Sequence, residues 1–223
     1  MKPVLAFDLH GTLTDTTALN PYFTKVFGSA TQTGVWFSQM VNLAMATSMT
    51  GVFVAYPTLA LAALQMVADL SGVTLNDQER SELTESIRNL PLFPDVKPAL
   101  QQIASTGFRM ALLTNTPRAA DEATLKHLGI GEFFEQVLSV EMVQCYKPAP
   151  QVYLAGAKSL KVAPGDMMMV TAHNIDTTGA IRAGCQAAFI TRPGEVLAPT
   201  DPKPGIVAKD LHDFTDTLAM INT

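Results

Sequence analysis

Polar residues that could carry out chemistry follow four separate stretches of this sequence, each with a strand-like or loop pattern. They are Asp8 with Thr12, Thr114 with Asn115, Lys147, and Thr171 with His173 and Asp176. If the preceding strands lie in one parallel sheet, their carboxyl ends face a common crevice, where such sheets bind ligands. The order and types of these residues therefore predict a single polar site at one edge of a sheet.

The first of these stretches is the most informative. Val4 to Phe7 is a continuous apolar run, which is typical of a fully buried strand in a parallel sheet. Asp8 then lies at the strand tip, where a carboxylate can attack an electrophilic carbon or phosphorus and form an ester. Gly11 would let the backbone come close to whatever lies opposite. The alternative is a simple strand-ending turn, since Asp, Gly and Thr are all turn residues.

The elements that position these residues follow an alternating pattern from Asp95 onward. Strands are predicted at 109–115, 137–140, 166–171 and 187–191. Helices are predicted at 97–105, 116–128, 150–160 and 211–221, and one further helix is predicted to end at 184. Thr116 is predicted to cap the second of these helices, with Pro117 at its first position. Residues 193–204 are proline-rich and predict a loop. Repeated strand–helix units predict an α/β fold with a Rossmann-like, doubly wound parallel sheet.

Residues 15–92 interrupt this pattern with helical spacing alone. Trp36, Met40 and Ala44 recur at helical intervals, and so do Leu61, Leu64 and Ala68. A further helix is predicted from Ser81 to Leu90. We therefore expect a core domain formed by residues 1–14 and 93–223, with residues 15–92 inserted as a small all-helical cap.

The segment Asp8-Leu9-His10-Gly11-Thr12-Leu13 resembles the nucleophile motif of the haloacid dehalogenase superfamily, and the three later polar stretches follow in that superfamily's order. The resemblance covers nearly the whole chain, with a cap of the C1 type after the first motif. Residues 138–153 around Lys147 and 176–180 after the last motif are similar to the L-2-haloacid dehalogenases, the type II subfamily.

The resemblance to this subfamily implies a role for each site residue. Asp8 would expel halide from a 2-haloalkanoic acid and form an aspartyl ester. Lys147 would keep Asp8 ionised, and Asp176 would fix Lys147 and help activate water. Substrate contacts are expected from Thr12 and Thr114 to the carboxylate, from Asn115 to the halide, and from Tyr153, Thr171, Trp36, Phe37 and His10.

Three departures from the subfamily pattern bear on this function. His10 stands where phosphatases of the superfamily carry a second aspartate and dehalogenases an aromatic residue. Phe37 stands where the dehalogenases carry a halide-binding arginine, and residues 26–78 contain no Lys or Arg. The amide of Asn42 is a candidate substitute. His173, close to the expected ester, is a candidate base for its hydrolysis.

Three functions are compatible with these residues. The first is cofactor-independent hydrolytic dehalogenation of a short 2-haloalkanoic acid. The second is a Mg²⁺-dependent phosphatase that holds the ion with Asp8, Asp176 and the His10 carbonyl. The third is a non-catalytic binding or homodimeric module. EDTA would abolish only the second activity, and Asp8→Asn would spare only the third.

Composition narrows the class of partner. A net charge of -5 gives no support for nucleic-acid binding, so a small-molecule substrate is expected. Two cysteines without a CxxC motif, and no signal-peptide pattern, predict a cytoplasmic protein. Residues 26–68 carry no charge, but Gly, Pro and polar residues interrupt every candidate membrane span. We expect instead an apolar pocket under the cap, and a homodimer formed through the cap.

Overall fold

A computed structural model describes residues 2–221 of the chain. Its centre is a sheet of six parallel strands in the order β3-β2-β1-β4-β5-β6. The strands are β1 (Val4–Phe7), β2 (Met110–Thr114), β3 (Gln136–Ser139), β4 (Met167–Thr171), β5 (Gln186–Ile190) and β6 (Ile206–Ala208). This is the Rossmann-like α/β fold that the alternating pattern predicts.

Helices cover both faces of the sheet. Those of the core are α5 (Val96–Ser105), α6 (Arg118–Leu128), α7 (Pro150–Ser159), α8 (Asn174–Arg182) and α9 (Leu211–Ile221). Alternate residues of β1 enter two different hydrophobic clusters: Val4 and Ala6 pack on one side of the sheet, Leu5 and Phe7 on the other. A parallel strand with both faces covered must be apolar throughout, which explains the continuous apolar run of β1.

The register of the sheet brings the polar strand ends together. Phe7 pairs with Leu112 of β2 on one side and with Val170 of β4 on the other. Asp8 therefore emerges between the ends of β2 and β4, which finish at Thr114 and Thr171.

Residues 15–92, called the insert below, contain four α-helices. They are α1 (Asn20–Phe27), α2 (Gln32–Thr50), α3 (Tyr56–Ser71) and α4 (Asp77–Arg88). The chain enters and leaves the insert at one place, where Thr14 and Leu92 form an isolated antiparallel bridge. The Asp15 N–H donates to the Pro91 carbonyl there at 2.8 Å. The two ends of the insert therefore lie side by side.

Tyr146 of the core holds the insert against the site. Its N–H donates to Ser48 Oγ at 2.8 Å, its hydroxyl donates to the Val54 carbonyl, and its ring stacks on Phe53 with centroids 5.2 Å apart. Within residues 2–221, no helix is long and apolar enough to cross a membrane.

Three elements differ from the sequence prediction. Helix α6 begins at Arg118, and Thr116 is not its cap, because the Thr116 hydroxyl donates to the Asp121 carboxylate instead. Helix α4 begins earlier than Ser81, after a capping box formed by Asn76 and Glu79. Strand β6 is not predicted, since three residues are too few to show a strand pattern.

Candidate active site

Lys147 lies between the two aspartates of the site. Its Nζ is 2.7 Å from Asp8 Oδ1 and 2.6 Å from Asp176 Oδ2. All three side chains are buried, with at most 8% of any of them exposed. A buried lysine requires compensating charges, and here it has two carboxylates within hydrogen-bond distance. The structure thus brings together three of the residues that the sequence predicts to be catalytic.

The two carboxylates differ in their affinity for a proton. Burial would raise the pKa of Asp8, but Lys147 and His173 outweigh it and hold that pKa below its ordinary value. Burial also raises the pKa of Asp176, and there Lys147 does not overcome it. Asp8 is accordingly ready to act as an ionised nucleophile, while Asp176 is the better proton acceptor.

Thr12 and Thr171 support the carboxylates from behind. The Thr12 hydroxyl donates to Asp8 Oδ2 at 2.9 Å and accepts from the Ala172 N–H at 3.0 Å. The Thr171 hydroxyl lies 3.3 Å from Asp176 Oδ2 and accepts from the His173 N–H at 3.0 Å. Because a hydroxyl has one proton to donate, Thr12 uses it here to orient Asp8, and its contact with a substrate carboxylate stays a prediction.

His173 is held in the site by contacts on every side. Its Nε2 lies 2.9 Å from the His10 carbonyl oxygen and 3.6 Å from Asp8 Oδ2, and its Nδ1 lies 3.4 Å from Glu195 Oε1. The imidazole stacks on the Phe37 ring, with centroids 5.3 Å apart. Gly11, at φ +83°, allows this approach, since a Cβ there would lie 2.9 Å from His173 Cε1.

His173 fits the role of a positive charge better than the role of a general base. Burial would lower its pKa, but Glu195, Asp8 and Asp176 outweigh burial and raise the pKa to about 9. The imidazole is therefore protonated at neutral pH, and a protonated ring donates protons rather than accepting them.

His10 has the opposite character. Burial lowers its pKa to about 4, although the charge of Asp8 opposes that shift. Its Nδ1 forms a hydrogen bond with the Thr14 hydroxyl at 3.1 Å, and its side chain lines the pocket. A neutral imidazole of such low pKa is a poor general acid near pH 7, so His10 fits a pocket wall better than the proton donor of a phosphatase.

Thr114 and Asn115 both line the pocket above Asp8. The Asn115 Oδ1 accepts from the Lys147 N–H at 3.0 Å, which leaves its amide NH₂ group as a donor for a ligand. The Thr114 hydroxyl instead donates to the buried carboxylate of Asp121. Its contact with a substrate carboxylate stays a prediction.

Tyr153 is fully buried beside the carboxylates. It is not among the described residues that line the pocket. Its hydroxyl has no hydrogen bond of normal geometry to any residue in 2–221. Burial and the charges of Asp176 and Asp8 raise its pKa well above the ordinary value. Gly179 of α8 makes room for it, because a Cβ there would lie 2.7 Å from the Tyr153 hydroxyl.

The insert closes the pocket with apolar groups. Phe37, Val41 and Tyr56 line it, together with Ile175 from α8. Asn42 is exposed and absent from this lining, so it does not replace the missing arginine. Trp36 is buried beneath, and its Nε1 donates to the Ala60 carbonyl at 2.8 Å. It lines a neighbouring apolar cavity instead.

The residues around Asp8 do not fit a divalent metal ion. The oxygens that Mg²⁺ would need are those of Asp8, Asp176 and the His10 carbonyl. Lys147 already pairs with both carboxylates, and the charged His173 ring donates to the carbonyl. Within residues 2–221, no three His, Cys, Asp or Glu side chains form a metal-binding group. The Mg²⁺-dependent alternative is not supported.

Sequence reasoning did not identify three contributors to the site. Asp121 lies one helical turn into α6, Glu195 lies in the proline-rich loop after β5, and Tyr56 begins α3. Glu195 and Tyr56 reach the site only through long-range packing. Only Asp121 could have been found from the sequence. It is a carboxylate on the helix that follows Asn115, and a helical projection of that segment would have placed Asp121 near the strand end.

Comparison with known proteins agrees with this geometry. The sequence model of the haloacid dehalogenase-like hydrolase family matches residues 3–184 of this chain. The (S)-2-haloacid dehalogenase H-109 of Pseudomonas putida is 23% identical, over 98% of this chain and 99% of its own. That of Pseudomonas sp. strain YL is 26% identical, over 90% and 87%.

Solved structures show the same fold. The L-2-haloacid dehalogenase of Xanthobacter autotrophicus with chloropropionic acid covalently bound superposes with a TM-score of 0.90. It is 18% identical, and the match covers 98% of this chain and 99% of that one. The fold, the matched family model and the buried aspartate–lysine–aspartate arrangement lead to one conclusion: the chain belongs to the haloacid dehalogenase-like hydrolase family and resembles its L-2-haloacid dehalogenases.

Proposed function

We propose that this hydrolase cleaves the carbon–halogen bond of a 2-haloalkanoic acid and releases the 2-hydroxy acid. The observation that carries the proposal is Lys147, which keeps Asp8 ionised while it also pairs with Asp176. Relatives over nearly the full length are named (S)-2-haloacid dehalogenases, and one similar structure holds chloropropionic acid covalently. No step in this chemistry requires a metal ion.

In the first half-reaction the Asp8 carboxylate attacks C2 from the side opposite the halogen. A carbon–oxygen bond forms, the carbon–halogen bond breaks, and the halide leaves with the bonding electrons. The product is an ester of Asp8 with inverted configuration at C2. Asn115 and the charged His173 are the groups that stabilise the negative charge developing on the halogen, in place of the absent arginine.

In the second half-reaction water attacks the carbonyl carbon of the ester. Asp176, whose pKa is raised, accepts a proton from this water. The bond between the carbonyl carbon and the substrate oxygen then breaks, and the departing alkoxide takes the proton that Asp176 accepted. One oxygen of Asp8 therefore leaves with the 2-hydroxy acid. Lys147 stabilises the negative charge that forms on the carbonyl oxygen.

The test is halide release from (S)-2-chloropropionate with EDTA present, using wild type and Asp8→Asn. Release by the wild type alone, with (R)-lactate as product, supports the mechanism. A single turnover in water labelled with heavy oxygen should place the label in Asp8 and not in lactate. Release that is abolished by EDTA, or retained by Asp8→Asn, would contradict it.

We also infer a homodimer formed through the insert and a cytoplasmic location. Exposed apolar side chains on the insert include Met49 at 87%, Val52 at 56% and Leu70 at 74% exposure. Light scattering should give twice the 23.9 kDa chain mass, and Leu70→Glu should lower it. Met142→Glu, at an exposed position outside the insert, is the control.

The cytoplasmic location rests on the cysteines. Two free thiols, Cys145 and Cys185, fit a reducing compartment.

A further inference from the structure

A second cavity lies beside the Asp8 pocket, between the insert and the core. Helices α2, α3 and α4 form one wall, and the start of α6 forms the other. Its lining is dominated by apolar side chains, among them Leu19, Trp36, Met40, Leu83, Ile87 and Leu90. Its volume is about 150 Å³. This is the size of engineered apolar cavities that bind benzene, so a group of six carbons fits inside.

The two spaces share a boundary. His10, Phe37, Tyr56 and Thr116 line both of them. The two spaces are therefore adjacent, with these four side chains at their common boundary.

The Asp8 pocket is too small to hold a whole substrate. Its volume is about 30 Å³, and one water molecule requires roughly 10–15 Å³ by the same measure. By this measure it holds about two or three water-sized groups, which is less than a 2-haloalkanoic acid with a long side chain needs. Any further substituent on the reacting carbon must lie elsewhere, and the apolar cavity is the adjoining space.

We propose that the apolar cavity is the binding site for the C2 substituent of the substrate, and that this substituent is an alkyl or aryl group of about four to six carbons. The inference rests on the proposed function and extends its substrate range to longer acids. Burying each added methylene of such a group should raise kcat/KM roughly fourfold until the cavity is full.

The experiment compares 2-bromopropionate, 2-bromohexanoate, 2-bromooctanoate and 2-bromodecanoate, whose C2 substituents contain one, four, six and eight carbons. We expect kcat/KM to rise along the first three acids and then to level off or fall. A constant or decreasing kcat/KM from propionate onward would overturn the proposal.

Variants in α6 localise the effect. Ala120 is exposed at the cavity wall, so Ala120→Phe should fill the cavity and reduce the preference for hexanoate over propionate by about tenfold or more. Ala119→Phe, an exposed neighbour outside the lining, is the matched control and should keep the preference. Equal preference in both variants would contradict the assignment.

Binding of the products separates this proposal from the proposed function. Calorimetry should show that 2-hydroxyhexanoate binds roughly tenfold or more tightly than lactate, and that Ala120→Phe removes the difference. If no bromoacid is hydrolysed but this binding preference persists, the halide chemistry fails and the cavity assignment stands. Equal binding of both hydroxy acids overturns the assignment.

Discussion

His173 stacks on Phe37, with ring centroids 5.3 Å apart and the planes inclined by 29°. Phe37 occupies the place where the resemblance leads one to expect a halide-binding arginine. The charged His173 ring, which belongs to the core, thus lies against Phe37, the insert residue that stands in place of the expected arginine. Glu195 and Asp8 flank the imidazole and keep it charged. We propose that His173 supplies, from a different element, the positive charge that the resemblance leads one to expect from the arginine.

Removing the charge of His173 should slow dehalogenation and change its pH dependence. His173→Asn is expected to lower kcat/KM by roughly 10²-fold, the effect of losing one preorganised donor. In the wild type, activity should decline as the pH rises through about 9, where His173 loses its proton. Steady-state rates from pH 6 to 10 test this, and a wild-type profile unchanged by the substitution would contradict the cationic role.

Glu195→Gln provides a second, milder test of the same charge. Removing the carboxylate beside Nδ1 should lower the pKa of His173, so the alkaline decline in activity should move to lower pH. Stability should follow the same direction. Because folding raises this pKa from 6.5, the stabilisation is complete below pH 6.5 and is lost as the pH rises through the folded value. Urea unfolding of both proteins at pH 6 and 9 measures it.

Lys147→Met should abolish activity and destabilise the fold most at high pH. The variant leaves Asp8 and Asp176 buried without a counter-charge, which costs about 3–5 kcal/mol at neutral pH. Their folded pKa values would then exceed the unfolded values, so stability should be regained as the pH falls and the two groups become protonated. Urea unfolding at pH 5 and 7.5 checks the sign. Greater stability at pH 7.5 would show that Lys147 does not hold the two charges.

Asp121→Asn should make the protein less sensitive to pH between 4 and 6. Burial raises the pKa of Asp121 to about 6, despite hydrogen bonds from Thr114 and Thr116 that oppose the shift. A folded pKa above the ordinary value of 3.8 means that ionisation of Asp121 destabilises the fold as the pH rises through this range. Thermal unfolding across the range measures the difference. Asp216→Asn, at an exposed position, is the control and should match the wild type.

Gly11→Ala should disturb the site, whereas Gly28→Ala should only strain the backbone. Both glycines have positive φ, at +83° and +76°, so each alanine should destabilise by about 1–2 kcal/mol. A Cβ at Gly11 would also lie 2.9 Å from His173 Cε1, while nothing lies within 4 Å of one at Gly28. Denaturant unfolding and halide release should show lost activity for Gly11→Ala alone. Equal activity in the two variants would exclude a steric role for Gly11.

The sequence by itself determined the parallel sheet and the strand ends at which most of the candidate site residues lie. The apolar run of β1 ends at Asp8, and the strands that end at Thr114 and Thr171 have the same character. Local pattern is sufficient here, because the carboxyl ends of parallel strands meet at one edge whatever the loops do. The residue type at Gly11 also predicts a close approach at this turn, although it does not identify His173 as the neighbour.

Only the tertiary structure decided which hydroxyls and charges are available. The hydroxyls of Thr12 and Thr114 donate to protein carboxylates, Asp8 and Asp121, and the sequence does not predict these two hydrogen bonds. The charge of His173 depends on Glu195, 22 positions away in sequence and 3.4 Å away in space. Burial and long-range ion pairs set a pKa and a hydrogen-bond pattern, and neither is encoded in the spacing of neighbouring residues.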